Sequence, residues 1–152
     1  MTLDHGQNII TAKGNLIHVT LRGAFNEYGA RDVARQAKSI VERLSPDRFT
    51  ILINMLNLEG ATPEAFTVSN EFNEWLNKQN MIAKAIVIKS ESIKAIDQQW
   101  VPAKKGQNIE YFENEEDALK TADFAIYKIE NGFMPPTITK DELDSLGVIA
   151  EK

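Results

Sequence analysis

The sequence predicts a single α/β domain: a mixed, mostly parallel sheet of four to five strands with about four helices, in the order β-β-α-β-α-β-α-β-α. Three observations carry this expectation. Short β-branched or wholly apolar runs alternate with stretches of helical periodicity, the connections between them are short, and the first two runs are joined by a Gly-Asn turn. Strands separated by a helix pair in parallel through right-handed connections, whereas two strands joined by a tight turn are antiparallel.

The first two strands fall at residues 7–11 and 16–21, separated by Ala12-Lys13-Gly14-Asn15. In the second, Ile17, Val19 and Leu21 share one face and Leu16, His18 and Thr20 the other. Gly23 is the expected end of that strand. Ala30, Val33, Ala34, Ala37, Ile40, Val41 and Leu44 then follow helical spacing, with Asn26 as N-cap and Ser45-Pro46 as the stop. Residues 49–53 are almost wholly apolar, which suits a strand covered on both faces.

A loop from Asn54 leads to Thr62-Pro63, where Thr62 is placed to cap a second helix and Pro63 occupies its first turn, needing no N–H there. Ala65, Val68, Phe72, Trp75 and Leu76 form the inward face of this helix, with Phe66 at its edge. The next strand lies within 81–89. Ser90 opens a third helix whose expected apolar face is Ile93, Ile96 and Trp100, limited by Pro102 and Gly106. Residues 109–112 form a last short strand, and Asn114 caps a fourth helix expected to reach residue 127, with Glu115, Glu116 and Asp117 favouring the positive end of its dipole. Residues 1–130 are thus read as the domain. Residues 131–152, with Met134-Pro135-Pro136 and a capping-box pattern at Thr139, are read as a C-terminal extension with a short helix, either packed back on the domain or docked on a second copy as a homodimer contact.

Composition excludes several classes of function. The 152 residues are 43% hydrophobic and 26% charged and include no cysteine, which removes thiol nucleophiles, disulfides and thiolate metal sites. A net charge of -5 has the wrong sign for binding nucleic acid. The opening MTLDHGQN lacks the basic-then-apolar order of a signal peptide, and no apolar run approaches the ~18 residues of a membrane span, so the expected location is the cytoplasm. The two histidines, His5 and His18, stand in no metal-ligand spacing, the serines in no Gly-x-Ser-x-Gly setting, and no phosphate-binding Gly-rich motif occurs. The acidic run at 113–117 lacks the alternation of a calcium loop, and Lys104-Lys105 reads as solvated surface. The expectation is a protein that is not an enzyme and holds no metal or cofactor.

Several strings in this order resemble the SpoIIAA-like family of the STAS superfamily, whose founding members are bacterial anti-sigma-factor antagonists. They are Gly14-Asn15-Leu16-Ile17 through Leu21-Arg22-Gly23, Phe49-Thr50-Ile51-Leu52-Ile53-Asn54, Ala83-Lys84-Ala85-Ile86-Val87-Ile88, and Ile109-Glu110-Tyr111-Phe112 through Asp117-Ala118-Leu119. The resemblance spans roughly residues 7 to 128. It implies a regulatory, protein-interaction module whose partner is a kinase-like or sigma-regulatory protein. The family's Asp-Ser-Ser-Gly phosphorylation string is absent, so the matching segment leaves Asn57, Glu59 and Thr62 as the candidate partner loop and phospho-acceptor, with Thr62 fully explained as a helix cap alone. Likeness of some members to the CRAL-TRIO lipid-carrier domain implies an alternative: a carrier or sensor of a small apolar ligand held between sheet and helix. Phe66, Phe72, Trp75 and Trp100 are the candidate pocket residues, in a spacing that also suits plain core packing.

Overall fold

The computed structural model describes residues 5–121. The C-terminal extension and the expected end of the fourth helix lie outside the described residues. Within them the elements are β1 (Gln7–Lys13), β2 (Leu16–Phe25), α1 (Glu27–Leu44), β3 (Phe49–Ala61), α2 (Pro63–Leu76), β4 (Met81–Val87), α3 (Glu91–Trp100), a 3-10 turn (Pro102–Gly106) and β5 (Ile109–Phe112). Residues 115–121 open a fourth helix, α4.

The five strands lie in sequence order, β1-β2-β3-β4-β5, with β1 antiparallel to β2 and every other pair parallel. The hairpin is tighter than the composition suggests. Lys13 pairs directly with Leu16, so Gly14 and Asn15 alone make the turn, and Gly14 takes a φ of 58° that a side chain would strain. Three crossovers step in one direction across the sheet, and because such connections are as a rule right-handed, they put α1, α2 and α3 on the same face, where α1 packs on α2 and α2 on α3. Ile17, Val19 and Ile51 point to that face and pack with Ile40, Val41 and Leu76 from the helices. Leu16, Leu52, Ala85 and Val87 point to the opposite face, where Ala118 of α4 meets them. Ile17, Leu52, Ile86 and Val87 are completely buried, each worth about 1.5–3 kcal/mol relative to exposure.

The helices begin where local chemistry directs. Asn26 accepts hydrogen bonds from the N–H groups of Tyr28 and Gly29, Thr62 from Ala65, Ser90 from Ile93 and Asn114 from Asp117. The strands depart from expectation at their C-terminal ends. Gly23 does not end β2: it takes a φ of 81° beside a register shift, and the strand continues to Phe25. Likewise Asn54 does not begin a loop, because β3 runs on to Ala61 alongside β2. Two extra residues on the β3 side, between the pairs Thr20–Asn54 and Arg22–Asn57 and between Gly23–Leu58 and Ala24–Gly60, bulge the strand. Each bulge resets the alternation of faces and increases the twist, so the β2–β3 ribbon bends beyond the end of β4.

Candidate functional site: a cavity between the sheet and its helices

The space between β2, β3 and the helices α1 and α2 is not filled. A cavity of about 130 Å³ runs there along the strand direction. The α1 side of its helix wall is built from small side chains, Ala30, Val33, Ala34 and Ala37, with Ala65, Phe66, Ser69 and Phe72 lining it from α2. Ala30, Ala34 and Ala37 sit at i, i+4 and i+7 on one helix face, and methyl groups there cannot reach the floor of Val19, Ile51 and Ile53. An apolar cavity of roughly 150 Å³ is large enough to take up a benzene ring.

The two ends of the cavity differ. Toward the C-terminal ends of the parallel strands it is walled by Leu58, Ala61 and Phe66, which are half-buried. The alternation along the bulged strand turns Leu58 and Ala61 to the cavity, while Asn57, Glu59 and Thr62 are exposed. At the other end stand Asn73, Lys84, Asp97 and Lys104, all buried.

Lys84 occupies this end because the β4 register pairs it with Ile51, and so directs it, like Ile86 and Ile88, to the helix-covered face. Its ammonium nitrogen donates to Asn73 Oδ1 at 2.6 Å. Asn73 cannot turn its amide away, since its Nδ2 donates to the Ser69 carbonyl at 2.8 Å and its Oδ1 also accepts from Gln107 Nε2 at 3.0 Å. Asp97 is engaged elsewhere: Lys104 Nζ lies 2.6 and 2.8 Å from its two carboxylate oxygens, and the Tyr111 hydroxyl donates to Oδ2 at 3.1 Å. Among the described residues, the single side-chain hydrogen-bond partner of Lys84 is therefore a neutral amide. Its amine is held well below the usual lysine range, first by burial and second by the nearby Lys104 charge, with Asp97 acting weakly in the opposite direction. Burial, reinforced by the Asp97 carboxylate, raises the Tyr111 phenol above its ordinary value, so that it remains a donor.

Of the aromatic residues expected around a pocket, Phe66 and Phe72 line the cavity and the two tryptophans do not. Trp75 stacks on Phe72 at 5.9 Å with Lys38 over its ring, and Trp100 stacks on Phe66 at 5.7 Å while remaining 47% exposed. The expected face of α3 is also revised. Ile96 is 42% exposed, whereas Asp97 is the buried residue of that helix. The reading of Lys104 as solvated surface is overturned by the same ion pair, which takes it into the interior while Lys105 stays exposed. The polar end was missed because its members are spread over α2, β4, α3 and the 3-10 turn. The one local signal is Lys84 itself, a cation inside the apolar string Ala83 to Ile88.

Elsewhere, Thr62 accepts the Ala65 N–H at 3.1 Å as the cap of α2. His18 Nε2 lies 3.2 Å from Glu115 Oε2, tying β2 to the start of α4. Among the described residues no group of three or more carboxylate or imidazole side chains could hold a metal, and no helix is long and apolar enough to cross a membrane.

A family model described as a domain of unknown function, DUF4907, matches residues 85–145. No curated protein matches the chain significantly. Among solved structures, the chain is similar to an uncharacterized protein of the DUF3478 family with a SpoIIAA-like fold from Shewanella loihica PV-4. The TM-score is 0.59 at 14% identity, over 80% of this chain and 98% of that one. The fold is SpoIIAA-like, with the mixed sheet and helix order expected from the sequence.

Proposed function

We propose that the protein is a non-enzymatic binding module that carries or senses a small apolar ligand between the sheet and helices α1 and α2. The observation that carries this reading is the cavity of about 130 Å³, walled by alanine and valine where larger side chains would close it. An empty space of that size forgoes roughly 3 kcal/mol of packing at about 24 cal/mol per Å³. Its half-buried end lies at the carboxyl ends of the parallel strands, where α/β sheets commonly place ligands. Native mass spectrometry of freshly purified protein and an amide NMR titration with toluene test it. A copurified small molecule, or toluene-induced shifts at Ala34, Ile53 and Phe66, is the expected result. A bare polypeptide whose spectrum toluene leaves unchanged overturns it.

A regulatory role in protein interaction is a second reading, supported by one specific juxtaposition. Asn57, Glu59 and Thr62 are exposed on the same stretch of chain whose Leu58 and Ala61 line the cavity, so an occupant touches the inner side of the segment a partner would meet. Partner affinity that changes on cavity occupancy, with partner binding abolished by Glu59→Lys, is the expected outcome.

A further inference from the structure

We propose that the ligand is a small monocarboxylate, with its apolar body against the alanine wall of α1 and its carboxylate on Lys84. This inference rests on the cavity being a binding site and adds the chemistry of the head group. The argument is one of charge and hydrogen-bond supply. With Lys84 protonated, the buried end holds two ammonium groups and one carboxylate among the described residues, and that carboxylate is bonded on both oxygens by Lys104 and receives Tyr111 as well. Lys84 is 2% exposed and has the Asn73 amide oxygen as its single acceptor among the described residues, while an ammonium carries three N–H donors. A buried cation without a counter-charge is strongly disfavoured, so without an anion the Lys84 amine gives up its proton readily. One monoanion beside Lys84 lets the amine keep that proton, leaves the end neutral and accepts the N–H groups that Asn73 leaves.

The same accounting selects among anions. A dianion such as phosphate would overshoot neutrality, and its remaining oxygens would face Ile17, Ile51 and Phe72, which offer no donors. The volume limits the apolar part to about one ring or a chain of similar bulk, as in benzoate or hexanoate. Among the described residues, the charged groups beside Lys84 at this end are Asp97 from α3 and Lys104 from the 3-10 turn, with Tyr111 of β5 reaching Asp97. The lining residues of α1 and α2 are uncharged. A bound carboxylate stabilises the protonated amine of Lys84, so its affinity falls as pH rises and the amine loses its proton.

The test is an NMR titration of the full chain with hexanoate, hexanol and hexylammonium, repeated with Lys84→Met, which keeps length and removes charge. Hexanoate is expected to bind the unaltered protein at least about tenfold more tightly than hexanol, as suits a hydrogen bond to a charged group. Hexylammonium is expected not to bind, and Lys84→Met is expected to abolish the hexanoate advantage while hexanol still binds. Should Lys84→Met fail to fold, the unaltered protein decides alone: hexanoate affinity must fall between pH 7 and 10 while hexanol affinity stays constant. Equal affinity for hexanol and hexanoate overturns the head-group assignment and leaves the cavity reading standing. Binding of none of the three, with toluene also without effect, overturns both.

Discussion

Lys104 and Asp97 form a two-point ion pair, with Nζ 2.6 and 2.8 Å from the carboxylate oxygens and both side chains shielded from solvent. Such a pair contributes little net stability as a unit, but loss of one partner strands the other charge in the interior. Asp97→Asn leaves Lys104 and Lys84 without a carboxylate. We expect a loss of about 3–5 kcal/mol in urea denaturation. The double substitution Asp97→Leu with Lys104→Met is expected to be less destabilised than Asp97→Asn, which a comparison of the urea midpoints checks.

The depressed amine of Lys84 links stability to pH. Between its folded value and the ordinary lysine value near 10.5, the unfolded chain binds more protons than the folded one, so stability rises with pH across that window. Below the folded value the full penalty of a buried cation applies. Lys84→Met removes this dependence. The stability difference between the variant and the unaltered protein should therefore be largest at low pH and shrink toward pH 10.5. A pH-independent difference in chemical denaturation would show that Lys84 is not the responsible group.

Filling the cavity should separate folding from binding. Ala34→Leu places a larger side chain into space already apolar and empty, and is expected to raise stability by about 1 kcal/mol while abolishing toluene binding. Calorimetry and the same NMR titration measure the two effects. A destabilised variant would mean that the α1 wall cannot accommodate the added methyl groups.

Thr62 can be examined as a cap independently of any modification. Thr62→Ala removes the acceptor of the Ala65 N–H and is expected to cost about 1 kcal/mol, whereas Thr62→Asp, another good N-cap, should restore most of it. Neither should alter toluene affinity, because the Thr62 side chain is not part of the cavity lining.

What could be read in advance was what local chemistry determines. Asn26, Thr62, Ser90 and Asn114 each cap a helix within three residues of themselves, so the chain segment alone carries the information. The length of β3 was hidden because its two bulges interrupt the period-2 pattern, and the segment after Asn54 therefore looks like a loop. In the ten-residue α3, Ile93, Ile96 and Trp100 describe a plausible apolar stripe, yet the buried position is Asp97, one residue round from Ile96. That choice is made by Lys104 and Tyr111, which reach Asp97 only after the chain has folded back. Phe66 and Phe72 were visible as large apolar residues, but the alanines opposite them, which make the room, look in sequence like ordinary helix formers.

Because each strand pairs with its sequence neighbour, the sheet can be assembled by successive addition from the N-terminus, without a later strand being threaded between earlier ones. The floor and walls of the cavity come from β2, α1, β3 and α2, but its polar end awaits β4, α3 and the 3-10 turn, with β5 bringing the Tyr111 donor. A partly synthesised chain would thus present an open apolar trough before it acquires the polar groups. On the proposed ligand reading, selectivity would be a property of chain completion, and a ligand would act as a clamp between the earlier and later halves of the domain.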